Sequence, residues 1–336
     1  MKRIGINGFG RIGRCIARKL AGQQTDSNRE FPFELALIND LTDAKTLAHL
    51  LEFDSIHGRL GTSVEITGDK LAAGNLNATI SAQADPTKIP WAAHGVDLVL
   101  ECTGAFTARS KAALHLGATV KQVLVSAPAN DSDLTVVYGV NEAKFDKQKH
   151  TVISCGSCTT NCLAPVAAVI QQAFGIVHGS MTTIHSYTND QRILDLPHSD
   201  LRRARAAGLS MIPTSTGAAK AIGLVIPELA GKLDGLAIRV PTPNVSLLDL
   251  VCEVGRDVSN AELHAALKNA AQNSSVLEYN EQELVSVDFN GSTKSAIIDA
   301  RSTMVIGKRL VKVLAWYDNE TGFSNRMLDV AKLMLR

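Results

Sequence analysis

The most reactive chemistry this sequence can offer rests on one cysteine and one histidine. Cys158 lies within Ser154-Cys155-Gly156-Ser157-Cys158-Thr159-Thr160-Asn161-Cys162, where an apolar strand is expected to turn into a helix. A cysteine at a helix N-terminus faces the positive end of the macrodipole and unpaired N–H groups, which lower its pKa and make it a nucleophile. Such a thiol needs a base, and Ile184-His185-Ser186-Tyr187-Thr188 offers His185 at the end of a strand expected over Ser180 to His185. Cys155-x-x-Cys158 also has redox or zinc spacing, but no second C-x-x-C or histidine pair supplies further ligands, so no metal is expected. Cys162, one helical turn later, reads as a small packed residue.

A second constellation sits near the start. Gly8-Phe9-Gly10-Arg11-Ile12-Gly13 fits G-x-G-x-x-G and directly follows an apolar strand, the context that makes the pattern a dinucleotide-binding fingerprint. Gly8 makes the tight turn, Gly10 lets backbone approach a pyrophosphate, and Gly13 allows close helix-to-strand packing. Backbone N–H groups around Arg11 and Ile12 would hold the phosphates. Asp40 follows the next expected strand, 27 positions after Gly13, with the polar stretch Gln23 to Glu30 read as the loop that lengthens the spacing. A carboxylate there accepts from a ribose 2′-hydroxyl and repels a 2′-phosphate, so NAD is favoured over NADP. The competing reading has Asp40, with Thr42 and Asp43, capping the next helix. Arg202-Arg203-Ala204-Arg205, Thr214-Ser215-Thr216-Gly217-Ala218 and Arg239-Val240-Pro241-Thr242 add cations, hydroxyls and a helix start, the parts of anion sites. Alone, the arginine cluster could equally be a solvated helix face or a subunit contact.

These groups need a scaffold. Short runs rich in Ile, Val and Leu (3–7, 33–39, 97–102, 122–126, 151–154) read as buried strands, with a helix over 43–51. The alternation predicts an α/β N-terminal domain with a doubly wound parallel sheet, interrupted by an antiparallel insertion over 62–82. Beyond Ser154 the pattern changes to a long helix, 157–174 with Pro165 inside it, and strands over 237–240, 246–254, 284–289, 296–300 and 311–316. Ser259-x-x-Glu262 is a capping-box signature, and an amphipathic helix over about 322–335 closes the chain. That predicts an α+β domain with a mainly antiparallel sheet.

Composition narrows the partners. The 336 residues carry a formal net charge of +1 with 45% hydrophobic residues, which excludes disordered and collagen-like classes and leaves no electrostatic footprint for nucleic acid. The longest apolar run, Leu163 to Ile170, falls well short of the ~20 residues a membrane helix needs. No export signal is expected after Met1-Lys2-Arg3, and six cysteines without framework spacing suit a reducing compartment. A cytoplasmic protein is the expectation.

These residues together resemble the phosphorylating glyceraldehyde-3-phosphate dehydrogenase family from end to end. The resemblance runs through Ile6-Asn7-Gly8-Phe9-Gly10-Arg11-Ile12-Gly13, Ser157-Cys158-Thr159-Thr160-Asn161-Cys162, His185-Ser186-Tyr187-Thr188, Asp200 to Arg205, Arg239 to Asn244 and Trp316-Tyr317-Asp318-Asn319-Glu320. It implies a Rossmann NAD-binding domain over 1–156, completed by the C-terminal helix 319–336, a catalytic domain over 157–318, and a homotetramer. It also implies Cys158 as nucleophile and His185 as its base. Gly8, Gly10, Arg11, Ile12, Gly13, Asp40, Thr103, Ser126 and Asn319 would contact NAD. Thr188 and Arg239 match the site for the phosphate of glyceraldehyde 3-phosphate, and Ser157, Thr159, Thr216 and Gly217, with Arg203 nearby, the region for inorganic phosphate. The implied product is 1,3-bisphosphoglycerate.

The chain departs from the family pattern at Cys155-Gly156, at Thr321 and Phe323, and at Ala84, where an arginine near the adenine is common. Losing Trp and Tyr beside the nicotinamide bears on cofactor affinity, not on a reacting group. Rival readings are an erythrose-4-phosphate dehydrogenase, against which Thr188 argues, arsenate replacing phosphate as acceptor, a thiol acyl hydrolase without redox chemistry, and a redox-sensing module built on Cys155-x-x-Cys158.

Overall fold

The computed structural model describes residues 1–22, 31–129 and 131–336. The loop read over Gln23 to Glu30 lies outside them. Contacts divide the chain into two compact units: Met1–Val136 with Glu142–Gly156 and Ser324–Arg336, and Val137–Asn141 with Ser157–Phe323.

The first unit runs β1 (Lys2–Asn7), α1 (Arg11–Leu20), β2 (Phe33–Asn39), α2 (Ala44–Glu52), β3 (Phe53–Asp54), β4 (Gly58–Arg59), β5 (Glu65–Thr67), β6 (Lys70–Ala73), β7 (Leu76–Ser81), β8 (Leu98–Glu101), α3 (Arg109–Ala112), β9 (Gln122–Val125), β10 (Leu134–Thr135) and β11 (Val152–Ser154). All but β3 and β4, which pair with each other, form one sheet in the order β10-β11-β9-β8-β1-β2-β7-β6-β5. Every residue of β8 and β9 is buried, so both faces of the sheet are covered; that is why these strands read as unbroken apolar runs. The insertion over 62–82 is an antiparallel meander of β5, β6 and β7, but β7 also pairs with β2 in parallel and so extends the main sheet. Asp43, not Asp40, caps α2, its carboxylate accepting from Thr46 N–H at 2.9 Å.

The second unit runs α4 (Cys158–Phe174), β12 (Ile176–Ser186), β13 (Ile212–Ser215), α5 (Ala218–Val225), β14 (Leu233–Val240), β15 (Ser246–Val254), α6 (Asn260–Gln272), β16 (Leu277–Asn280), β17 (Ala296–Ile306), β18 (Leu310–Tyr317) and the start of α7 (Thr321–Leu335). Its sheet, ordered β13-β14-β12-β15-β18-β17-β16, is antiparallel except at β12–β14 and β16–β17. Leu163, Val166 and Ile170 of α4 join Leu248, Leu250, Val311 and Val313 of the sheet in one core, and α4 runs through Pro165. The capping box at Ser259 and Glu262 forms, with both reciprocal bonds made. The two expected architectures are those the chain adopts.

One expected strand is absent. Residues 286–289 form a 3-10 turn, because Asp288 accepts from Val285 N–H at 2.8 Å and satisfies the backbone locally. The apolar alternation misled because Val285 and Val287 are exposed, at 60% and 70%. The edge strand at that end of the sheet is β16, only four residues of mixed polarity.

Candidate active site

Cys158 is the first residue of α4, and Ser157 is its N-cap, accepting from Thr160 N–H at 3.0 Å. Its Sγ lies 3.4 Å from Nε2 of His185 on β12. In the parallel β12–β14 pair His185 is directly opposite Arg239, which puts the two side chains on one face. Arg239 Nη1 lies 2.7 Å from His185 Nδ1 and donates to the Ser186 carbonyl at 2.9 Å. Nδ1 is also 2.7 Å from the same carbonyl, so two neighbours compete for it: when Nδ1 donates its proton to the carbonyl the Nε2 lone pair faces the thiol, and when Nδ1 accepts from Arg239 the proton sits on Nε2.

Both reacting groups are held neutral at rest. Burial, then the Arg239 guanidinium, push His185 down to about 3. The lowered thiol pKa that helix position suggests is not found: burial raises Cys158, with Arg239 and hydrogen bonds from Thr159 working the other way. Sequence reasoning passed over Tyr317 as a working residue. Its hydroxyl bonds Thr159 Oγ1 at 2.9 Å and Thr183 Oγ1 at 2.7 Å, tying the first turn of α4 to β12, and its ring stands edge-on to His185. The signal was the two-residue alternation of β18, which turns Val311, Val313, Ala315 and Tyr317 inward.

The same web reaches Asn319. Ser186 N–H donates to Ser246 Oγ at 3.1 Å, and Ser246 donates to Asn319 Oδ1 at 2.9 Å. Asp318 fixes the turn before α7, accepting from Glu320 and Thr321 N–H at 2.9 and 2.7 Å. Val245 carries φ +67°, a conformation β-branched residues avoid, and its carbonyl accepts from Ser186 Oγ at 2.7 Å. Among the described residues, two buried donors near the expected anion residues in sequence, Arg239 Nε and Gln191 Nε2, have no hydrogen-bond partner. Gln191 Oε1 accepts from Thr188 N–H at 3.3 Å. Sequence reading missed it. Arg203 donates to Asp190, to Thr214 Oγ1 at 2.9 Å and to the Ser215 carbonyl at 3.2 Å, so its guanidinium is already engaged. Thr216 Oγ1 accepts from Ala218 N–H at 3.2 Å, and Gly217 opens α5 with no side-chain cap. No direct hydrogen bond joins Thr188, Thr216 or Arg203 to the Cys158–His185 pair among the described contacts.

In the first unit the β1–α1 turn fits a dinucleotide. Gly8 has φ +91°, and a Cβ there would strike Thr103 N at 2.7 Å; one at Gly13 would meet the Gly8 carbonyl at 2.4 Å, whereas Gly10 faces open space. Helix α1 has no side-chain N-cap. Asp40 stands beside the turn, accepting from Phe9 N–H at 2.7 Å and Thr42 N–H at 2.9 Å, and Ser126, just past β9, donates its N–H to the Glu101 carbonyl at 2.9 Å. Arg11 makes a two-point pair with Asp54, at 2.5 and 3.1 Å.

Burial pushes the Asp54 carboxyl up, but Arg11 and the N–H groups of His57 and Ile56 outweigh it and hold it at about 2. This stabilisation is present above the unfolded value of 3.8 and is lost as pH falls toward 2. Asp54→Asn removes the negative partner of the Arg11 guanidinium and is expected to cost the protein about 2 kcal/mol in urea unfolding at neutral pH. A cost under about 0.5 kcal/mol would mean the pair only breaks even.

Residues 2–109 match the family model described as glyceraldehyde 3-phosphate dehydrogenase, NAD binding domain, and residues 157–319 match its C-terminal domain. The chain belongs to the glyceraldehyde 3-phosphate dehydrogenase family. It is 56% identical to glyceraldehyde-3-phosphate dehydrogenase of Geobacillus stearothermophilus, over 98% of this chain and 97% of the relative. Identity is 55% to glyceraldehyde-3-phosphate dehydrogenase 1 of Bacillus cereus, over 99% and 98% of the two chains. The Pseudomonas aeruginosa enzyme is also 55% identical, over 98% and 97%. The match to this family spans both the glycine-rich turn and the cysteine–histidine pair. No helix among the described residues is long and apolar enough to cross a membrane.

Proposed function

We propose that this chain oxidises glyceraldehyde 3-phosphate to 1,3-bisphosphoglycerate with NAD and inorganic phosphate. The observation that carries the chemistry is the 3.4 Å approach of Cys158 Sγ to His185 Nε2 at the start of α4. The thiol passes its proton to Nε2 and adds to the aldehyde carbon. NAD, when bound, supplies the hydride acceptor. His185 Nε2 returns that proton to the former aldehyde oxygen and takes it back as the hydride departs, leaving Cys158 in a thioester. Inorganic phosphate attacks the thioester carbonyl, the C–S bond breaks, and the thiolate and the acyl phosphate separate. Each phosphate needs its own donors. Arg239 and Thr188 suit the substrate's, with the unpartnered Arg239 Nε pointing to a missing acceptor; Ser157, Thr159, Thr216 and Gly217, with Arg203, suit the incoming one.

In the same reading the segment 1–156 with 319–336 is the NAD-binding domain and 157–318 the catalytic domain. Gly8, Gly10, Arg11, Ile12, Gly13, Asp40, Thr103, Ser126 and Asn319 serve the cofactor. The deciding assay follows NADH formation with purified protein, NAD and glyceraldehyde 3-phosphate, with and without inorganic phosphate. Sustained turnover only with phosphate is expected. Reduction without any phosphate dependence would exclude the phosphorylating reaction.

We also infer a homotetramer in the cytoplasm. Ile193, Leu194, Leu196, Leu201, Leu209 and Met211 are each 60% or more exposed within one stretch of β12–β13 loop, a run of large apolar side chains of the kind that marks a protein–protein contact. A second copy of the chain covers this stretch. Light scattering is expected to report a mass near four chains, and Ile193→Asp with Leu209→Asp to lower it. A monomeric wild type would end this reading.

A further inference from the structure

Under the β1–α1 turn lies a buried polar chain that the chemistry above does not use. Glu101, the last residue of β8, and His115 have fully buried side chains. A desolvated carboxylate is costly unless every lone pair is met. Glu101 Oε2 accepts from Asn7 Nδ2 at 2.7 Å and from His115 Nε2 at 3.0 Å, while Oε1 accepts from Thr103 N–H at 2.8 Å and from the Thr103 hydroxyl. The histidine's proton is placed by its other neighbour. Trp91 Nε1 is only a donor and lies 3.2 Å from His115 Nδ1, so Nδ1 bears the lone pair and Nε2 carries the proton given to Glu101. The chain continues through Asn7 Oδ1, which accepts from Asn39 Nδ2 at 2.8 Å, to Ser81, whose hydroxyl donates to Asn39 Oδ1 at 2.8 Å.

We propose that the Trp91–His115–Glu101 relay positions both walls of the dinucleotide turn, and that His115 is a positioning residue for NAD binding. The proposal rests on the reading of Gly8 to Gly13 as the NAD turn. Glu101 grips one wall through Thr103 and the other through Asn7, the residue before Gly8. Those walls touch: Gly8 N–H donates to the Asn39 carbonyl at 2.8 Å, and a Cβ on Gly8 would collide with Thr103 N. A carboxylate buried here is a cost to the fold. Its four directed hydrogen bonds compensate by fixing the geometry of the groove, which an apolar residue of similar size would not do.

The test compares His115→Gln with His115→Asn in the full-length protein. Glutamine reproduces the spacing of acceptor and donor across the imidazole and keeps both bonds; asparagine can accept from Trp91 but does not reach Glu101. Calorimetric titration with NAD is expected to give a Kd within about threefold of wild type for His115→Gln and about tenfold weaker for His115→Asn. At saturating NAD both variants should keep kcat within about twofold, since Cys158 and His185 are untouched. A folded His115→Asn that binds NAD as tightly as wild type, or a His115→Gln as weak as His115→Asn, overturns the relay. If His115→Asn does not fold, Glu101→Gln serves, with the same tenfold loss expected and unchanged affinity overturning the proposal. A wild type that does not bind NAD would instead sink the dehydrogenase reading.

Discussion

Cys158→Ser is expected to lower kcat for phosphate-dependent NADH formation by about 10⁴-fold or more. The substitution keeps the N-terminal position in α4, the Ser157 cap and the 3.4 Å neighbour in His185, so binding surfaces survive. What is lost is nucleophilicity. A serine hydroxyl has a far higher pKa than a thiol, and His185 is the base that the described contacts set beside this position. Burial already disfavours the charged form of Cys158, with Arg239 opposing it; for an alkoxide the same burial is prohibitive. An alkoxide is also a much poorer leaving group than a thiolate, so any ester formed would resist phosphate. Calorimetric NAD affinity should be within about twofold of wild type, because the glycine-rich turn is untouched. Retention of more than about a hundredth of wild-type turnover would remove Cys158 from the covalent step.

Much of this site was legible in residue order, for local reasons. The turn Gly8 to Gly13 and the strand-to-helix turn at Cys158 are short segments whose geometry is dictated by their own glycines and cap, so type and spacing suffice. His185 was legible because a strand ends there. Parts that depend on distant pairing were not. Tyr317 meets Thr159 and Thr183 only because β18, β15 and β12 lie side by side in the sheet, and Gln191 has meaning only once its Nε2 is buried with no hydrogen-bond partner among the described residues. Arg239 was visible as a cation but not as the guanidinium 2.7 Å from the base. The expected strand over 284–289 failed for the opposite reason, since one carboxylate, Asp288, overrode a β-like pattern. The lowered thiol pKa failed because helix position is local, whereas burial is tertiary.

His185→Asn is the second large effect, and it separates two consequences of one environment. Turnover is expected to fall by about 10²- to 10⁴-fold, the range for a positioned general base, with NAD affinity unchanged. The variant should also respond less to acid. In the native chain burial and Arg239 hold His185 at about 3, against about 6.5 when unfolded, so between these values the unfolded state binds the extra proton. The neutral ring's contribution is therefore fully present above about pH 6.5 and is lost progressively as pH falls toward 3, by up to several kcal/mol. Asparagine does not titrate. Thermal midpoints of wild type and His185→Asn, measured in parallel from pH 7 to pH 4, should converge as pH falls. A constant difference across that range would mean that the imidazole titrates alike in the folded and unfolded protein, and a wild type that gained on the variant as pH fell would mean that the imidazole is already protonated in the folded protein. In that case the thiol–imidazole pair would have to be redrawn as a thiolate–imidazolium pair, with Arg239 stabilising only the sulfur.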